Sequence, residues 1–369
     1  MSTPKVLMIS TSYPQHAQDW KGVFIRNLVQ ALSDQVALQL WAPPGELPPS
    51  VDYACSPQEA RWLNNLMKQG GIAHILRQKN LARLTTSMHL LWMLRKAYRR
   101  HPQMDLFHIN WLQNALPLKG MKQPALISVL GSDLGLLKLP LMVKLLRHVF
   151  RQRSCILAPN AEWMTPILQN YFGDVAHIVP IPFGIDTTWY ELQRQWQKYH
   201  PKVWIVVSRL TKKKIGPLFE WSKEVFQSGE HELHLFGPRQ EPLEVPRWIY
   251  YHGSSYPYEL REYWFPKAVG LITLSQHDEG RPQVLLEAMA AGLPILASKL
   301  PAHCDLITHQ KNGWIAASQE TFEEGITWLS NVQNNTLISE NSRGWVKEQV
   351  GTWEDCAQRY LRAYQMLRT

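Results

Sequence analysis

Short apolar runs rich in β-branched residues alternate along this chain with stretches whose apolar positions recur every three or four residues. The alternation is made twice. In the first half the runs 6–10, 36–41, 105–110, 125–130, 155–158 and 177–179 predict strands. In the second half strands are predicted over 203–207, 233–236, 248–251, 269–274 and 294–297, with helices over 218–227, 258–265 and 282–291 between them. Strands that alternate with helical segments imply parallel sheets with crossover helices, so the expected fold class is α/β, two doubly wound domains. The expected division is 1–180, a linker over 181–201, a second domain over 202–351, and a closing helix over 352–369. Thr352 and Asp355 fit a capping box ahead of that amphipathic helix, which is expected to pack back on the first domain.

Composition excludes several classes. With 369 residues, 45% hydrophobic and 19% charged, the chain is long enough to bury two cores and is neither disordered nor fibrous. No apolar stretch reaches the roughly 18 to 20 residues of a spanning helix, and no secretory leader pattern opens the sequence, so a cytoplasmic protein is expected. Cys55, Cys155, Cys304 and Cys356 are far apart, without ligand spacing, which argues against a disulfide framework or structural zinc. The net charge of +9 is uneven. Residues 1–180 hold 19 Lys and Arg against 9 Asp and Glu, whereas residues 181–369 hold 20 against 21. A positive first half suits an anionic partner: nucleic acid, lipid headgroups or a phosphorylated substrate.

The chemistry concentrates after the run 269–274. There Leu274-Ser-Gln-His-Asp-Glu-Gly-Arg-Pro-Gln-Val-Leu-Leu-Glu-Ala-Met-Ala-Ala-Gly-Leu-Pro passes from strand through loop into helix. Gly280 lets a ligand approach the backbone, and Pro282 suits the first helical turn, where its missing N–H costs nothing. The helix start offers unpaired N–H groups and the positive end of a dipole to a phosphate. Glu279 stands in the loop, and Glu287 lies a turn further on, placed to accept two hydroxyls of a ribose diol. A second basic element, Ser208-Arg209-Leu210-Thr211-Lys212-Lys213-Lys214, follows the strand that opens the second half. Fixed cations there would stabilise a nucleoside diphosphate leaving group.

The Glu-x7-Glu element followed by Glu-Ala-Met-Ala-Ala-Gly-Leu-Pro closely resembles glycosyltransferase family 4 (glycosyl transferases group 1), retaining enzymes of the GT-B fold that use nucleotide sugars. The resemblance spans essentially the whole chain. It implies two Rossmann-like domains facing a cleft, with donor contacts from Gly22, Arg209, Lys214, Gly237, Glu279, Gly280, Arg281, Pro282, Gln283, Val284 and Glu287. Catalytic roles fall on Glu279, Arg209, Lys214 and Asp133. Gly22 lies in the loop Thr11-Ser-Tyr-Pro-Gln-His-Ala-Gln-Asp-Trp-Lys-Gly after the first strand, and Gly237 ends the run 233–236. Ile215 stands where the family usually has Gly. Asn110 and Leu130 stand where many members carry histidine, and Asn110 and Asp133 are the expected contacts to sugar or acceptor. His108 is read as a strand histidine, and Phe183-Gly184-Ile185-Asp186 as a structural or hinge element.

The segments 142–153 and 83–100 read as basic amphipathic helices that could lie against an anionic membrane. No helix-turn-helix, zinc finger or stacking platform accompanies the charge, so a nucleic-acid partner is not expected. The resemblance implies a transferase that moves a sugar from a nucleotide sugar to a hydroxyl acceptor on a lipid-linked or lipopolysaccharide-type glycan, in the cytoplasm or peripheral at the inner face of the plasma membrane. No cofactor or divalent metal is expected. The rivals are a nucleotide-sugar epimerase of the same fold, a glycosidase using Glu279 and Glu287, and a nucleotide-sugar-binding protein without turnover. The glycosidase reading leaves Arg209 and Lys214 unexplained.

Overall fold

Residues 3–16, 19, 21–71, 82–277 and 279–368 are described by a computed structural model. Internal contacts divide the chain into two units, Met1–Phe183 with Trp353–Thr369, and Gly184–Thr352. The first unit holds β1 (Lys5–Ile9), β2 (Ala37–Trp41), β3 (Asp52–Tyr53), β4 (Leu106–Asn110), β5 (Ala125–Val129), β6 (Cys155–Pro159) and β7 (His177–Ile178). They form one sheet in the order β3-β2-β1-β4-β5-β6-β7, and every pairing is parallel. The second unit holds β8 (Lys202–Val207), β9 (His231–Phe236), β10 (Ile249–Gly253), β11 (Ala268–Thr273), β12 (Ile295–Ser298) and β13 (Trp314–Ala316), ordered β10-β9-β8-β11-β12-β13 and again parallel throughout. In each sheet the winding direction reverses beside the first strand. Loops leaving the strands on either side of that reversal diverge and open a crevice, the usual ligand position in open α/β sheets.

The strands are apolar on both faces because both faces are covered. In the first unit Leu7, Ile9, Phe107 and Ile109 feed one core, with Leu90 and Leu94 of helix Ala82–Arg100 and Leu146 and Phe150 of helix Met142–Phe150. The intervening Val6, Met8 and Leu106 feed the other, against helix Val23–Leu32 and the closing helix Trp353–Arg368. A polar network threads that second layer. His108 Nδ1 lies 2.6 Å from the Tyr364 hydroxyl and its Nε2 2.9 Å from Ser128 Oγ, which in turn meets the Tyr360 hydroxyl at 2.9 Å. Burial pushes the His108 pKa down to about 3, so this imidazole stays neutral and structural.

The sequence-based element assignments differ from the structure at identifiable places. The helix expected over 218–227 is two short ones, Leu218–Trp221 and Lys223–Gln227, and that over 258–265 is a turn, Pro257–Glu259, running into a π-helical segment, Leu260–Trp264. Strands β3 and β13 were not anticipated, being only two and three residues long. The segment expected as a linker over 181–201 is not bare. Trp189, Leu192 and Trp196 enter the cores of the second unit. Arg194, half-buried between them, donates to the carbonyls of Gly292, Ala268 and Val269, to Asn335 Oδ1 and to Ser339 Oγ, at 2.8–2.9 Å. No described helix is long and apolar enough to cross a membrane.

Candidate functional site

In the second unit the winding reverses between β8 and β11, and the two loops leaving those strands carry Arg209 to Lys214 and Leu274 to Gln283. Backbone stitches them together: the Gln276 N–H donates to the Lys213 carbonyl at 2.7 Å. Gly216, at φ +57°, lets the first loop press against the second, since a Cβ there would collide with the Leu274 carbonyl oxygen. The side chains complete the link through an ion pair between Lys214 Nζ and Glu279 Oε1. Ser275 Oγ donates to the same Glu279 oxygen at 3.3 Å, and Ser298 Oγ holds the Ser275 carbonyl at 2.6 Å. The structure thus brings Lys214 and Glu279 into contact although they lie on separate strands' loops. Gly237 joins the same region, where a Cβ would strike the Ser208 carbonyl oxygen, and its N–H donates to Gly253 at 2.6 Å.

Helix Gln283–Ala290 starts from this loop. Pro282 sits one position earlier than expected, as the cap residue with extended backbone rather than inside the first turn. No side chain among the described residues caps this N-terminus. Its dipole and leading N–H groups therefore face the loop end. Glu287 lies a turn into the helix, and no hydrogen bond reaches its carboxylate among the described residues. Burial, with Asp186 nearby adding negative charge, pushes its pKa up to about 8. Gln283 reaches instead to the Gly184 carbonyl at 2.8 Å, and its buried Oε1 has no partner among the described residues. Arg281 is turned away into a buried pair with Asp305, 2.5 Å between Nη2 and Oδ2. Val284 packs against the core beside this helix. Asp278 of the same loop lies outside the described residues, as do residues 17, 18 and 20 of the first-half loop.

Two residues near this site, His303 and Asp305, gave no signal in the sequence, and a third, Asp186, was read only as part of a structural or hinge element. His303 is buried, bonds the Ser298 carbonyl through Nδ1 at 2.9 Å, and has no partner for Nε2 among the described residues. Burial depresses its pKa, with Glu279 and Lys214 as charged neighbours. Asp186 caps the turn Thr187–Trp189 and is the charge that Glu287 feels. Asp305 neutralises Arg281. All three lie far along the chain from the motif they serve, so only the folded sheet reveals them. Beside Gly253, a cavity of about 470 Å³ is lined by Phe236, His252, Tyr258, Glu259, Glu262 and Trp264.

In the first unit Gly22 adopts φ +73° and begins helix Val23–Leu32, with Ser12 close enough that a Cβ would sit 2.8 Å from its Oγ. Asn110 ends β4, donates to the Ile9 carbonyl at 3.0 Å and keeps a buried Oδ1 with no partner among the described residues. Asp133 is fully engaged by backbone: one carboxylate oxygen accepts the Leu112 N–H and the other the Leu130 N–H, each at 3.0 Å. It ties the loops after β4 and β5 together. Burial outweighs those hydrogen bonds and raises its pKa to about 6. No group of three or more His, Cys, Asp or Glu able to hold a metal occurs among the described residues.

Comparison with known proteins supplies the remaining context. Residues 249–345 match the family model for glycosyl transferases group 1. A probable sucrose-phosphate synthase of Thermosipho melanesiensis is 30% identical over 92 residues, 25% of this chain; the match spans about a fifth of the length of that relative. Among solved structures, a sucrose-phosphate synthase from Thermosynechococcus elongatus superposes with a TM-score of 0.73 at 15% identity, covering 99% of both chains. Anabaena HepE in complex with UDP and glucose gives 0.68 at 15% identity, over 99% of this chain and 100% of that one. An α,α-trehalose 6-phosphate synthase from Burkholderia multivorans gives 0.69 at 11% identity, over 99% of both. Residues 249–345 are thus similar to glycosyl transferases group 1, and the chain shares the GT-B fold of these solved structures.

Proposed function

We propose that this protein is a retaining glycosyltransferase that moves a sugar from a nucleoside-diphosphate sugar to a hydroxyl of a lipid-linked or lipopolysaccharide-type glycan. The observation that carries the reading is the meeting of Lys214, Glu279 and the start of helix Gln283–Ala290 at the winding reversal of the second sheet. That spot offers cations and N–H groups to a diphosphate. Arg209 and Lys214 balance charge on the departing phosphate, and Glu287 accepts the ribose hydroxyls, giving up its proton as they donate to it. As the bond from the anomeric carbon to phosphate breaks, the acceptor oxygen bonds to that carbon from the same face and passes its proton to the released phosphate oxygen. Side-chain cations and the helix dipole do here what a divalent ion does elsewhere, so turnover is expected to survive a chelator.

Acceptor-dependent release of nucleoside diphosphate tests the reading. Release is expected from at least one nucleotide sugar, and to fall by about 10² or more in Arg209→Ala and Lys214→Ala. Donor epimerised without acceptor, or bound without release, would replace this reading with one of its rivals. A second reading has its own support: the curated relative and two of the superposed structures are sugar-phosphate synthases, and a phosphorylated acceptor suits the positive first half. Sugar phosphates therefore belong in the acceptor panel.

A further inference from the structure

Two exposed apolar sets sit on neighbouring helices of the first unit. On helix Ala82–Arg100, Leu84, Met88 and Trp92 recur every four residues, which places them in one stripe, and they are 56%, 71% and 53% exposed. Lys96 continues the stripe with its ammonium 3.6 Å from the centre of the Trp92 ring. Around the start of helix Met142–Phe150, Leu139, Leu141 and Leu145 are 49%, 66% and 52% exposed. Their inward neighbours, among them Met93, Leu94, Leu146 and Val149, share one core, and both helices pack on the same 3-10 segment, Leu112–Leu118. Both exposed sets therefore belong to one outer layer. Single exposed leucines need no explanation, but six large apolar side chains in one layer do.

The charge of that layer selects the occupant. Residues 82–153 contain twelve Lys and Arg and only two acidic residues, Asp105 and Asp133. Asp133 is buried, and Asp105 accepts the Lys5 N–H. Carboxylates from neighbouring elements engage some of the cations: Glu59 pairs with Arg100, and Asp174 with Arg147 and Arg151. Lys138, Lys144 and Arg99 have no carboxylate partner among the described residues. A second copy docking by this face would oppose like charges across a two-fold axis. An anionic bilayer instead accepts the leucines, Met88 and Trp92 at the headgroup boundary and the lysines among its phosphates.

We propose that this face of the first unit docks on an anionic lipid bilayer. It rests on the transferase reading only for its purpose, bringing the chain to a lipid-borne acceptor. Binding is measured without donor or acceptor, so the two ideas fail separately.

The test is flotation of the full chain with vesicles of phosphatidylcholine alone and of phosphatidylcholine mixed with phosphatidylglycerol. Wild type is expected to float with the anionic vesicles at low salt and to remain behind with the neutral ones. Met88→Asp combined with Leu145→Asp, and separately Lys138→Glu with Lys144→Glu, should each weaken binding by about tenfold or more. Leu141→Asp serves as a further variant, because Leu141 sits at φ +64°, a conformation aspartate adopts more readily than leucine. Thermal melts of all variants should match wild type, since every altered side chain is at the surface. Absence of wild-type binding to anionic vesicles overturns the proposal, as does unchanged binding by the variants. Dimers that dissociate on Leu145→Asp, with no vesicle binding, would also overturn it by naming a second copy as the occupant.

Discussion

Glu287 shows how one side chain links site to stability. Its folded carboxyl keeps a proton up to about pH 8, whereas an unfolded one loses it near 4.5. Between those values the folded state binds the extra proton, so stability falls as pH rises through the window. Asp133, with its pKa near 6, acts in the same direction at lower pH, so the comparison must be made against a variant. Glu287→Gln should lose part of the decline in melting temperature between about pH 5 and about pH 8, and melt above wild type at the upper end. A parallel decline in both proteins would refute the assignment. Gly216 carries a second expectation. Gly216→Ala combines a positive φ with a collision on the Leu274 carbonyl, and should destabilise by about 2 kcal/mol or more by denaturant titration. At this scale the sequence was informative where local spacing carries the chemistry: Glu279 and Glu287 were visible as a pair with their helix between them. The Lys214–Glu279 ion pair, the place of His303 and the nearness of Asp186 to Glu287 were not visible, because the sheet, not the local chain, brings them together. Asp133 was legible as important, yet its backbone partners give it the task of tying two loops.

Elements were legible in proportion to their length and burial. The central strands β1, β4, β5, β8 and β11 are buried nearly throughout, and their apolar runs marked them to within a residue or two. Strands β3 and β13 were missed because two or three residues carry no period. The break at Ser222 and the π-helical turn at Leu260–Trp264 depend on tertiary contacts; Ser222, for example, accepts the Trp248 indole N–H at 3.1 Å. The closing helix has a clearer consequence. Trp353, Cys356, Tyr360, Ala363, Tyr364 and Leu367 belong to the core of the first unit. Tyr364→Phe should cost about 1 to 3 kcal/mol by leaving His108 Nδ1 without its partner. Ending the chain before Trp353 should prevent the first unit from folding, read as loss of soluble protein. Arg194 plays the matching part in the second unit, and Arg194→Lys should not restore what Arg194→Met loses, because a lysine reaches fewer of the five acceptors.

On the scale of the whole molecule, charge and chemistry are divided between the two units. The second carries the loops proposed to hold a diphosphate; the first carries the excess positive charge and the exposed apolar layer. Two doubly wound sheets were readable from the twofold alternation of strands and helices, because parallel sheets need helical crossovers. Which loops meet was not readable, since it follows from strand order. If the loops after β8 and β11 hold a diphosphate, a nucleoside diphosphate that binds should slow hydrogen exchange in residues 208–216 and 274–287 while leaving helix Ala82–Arg100 unchanged. The most direct measurement is a calorimetric titration of wild type, Arg209→Ala and Glu287→Ala with a panel of nucleoside diphosphates. At least one should bind wild type, and each substitution should weaken it by about tenfold or more, a loss of at least about 1.4 kcal/mol. No binding by any nucleotide, or equal affinity in all three proteins, would contradict the account.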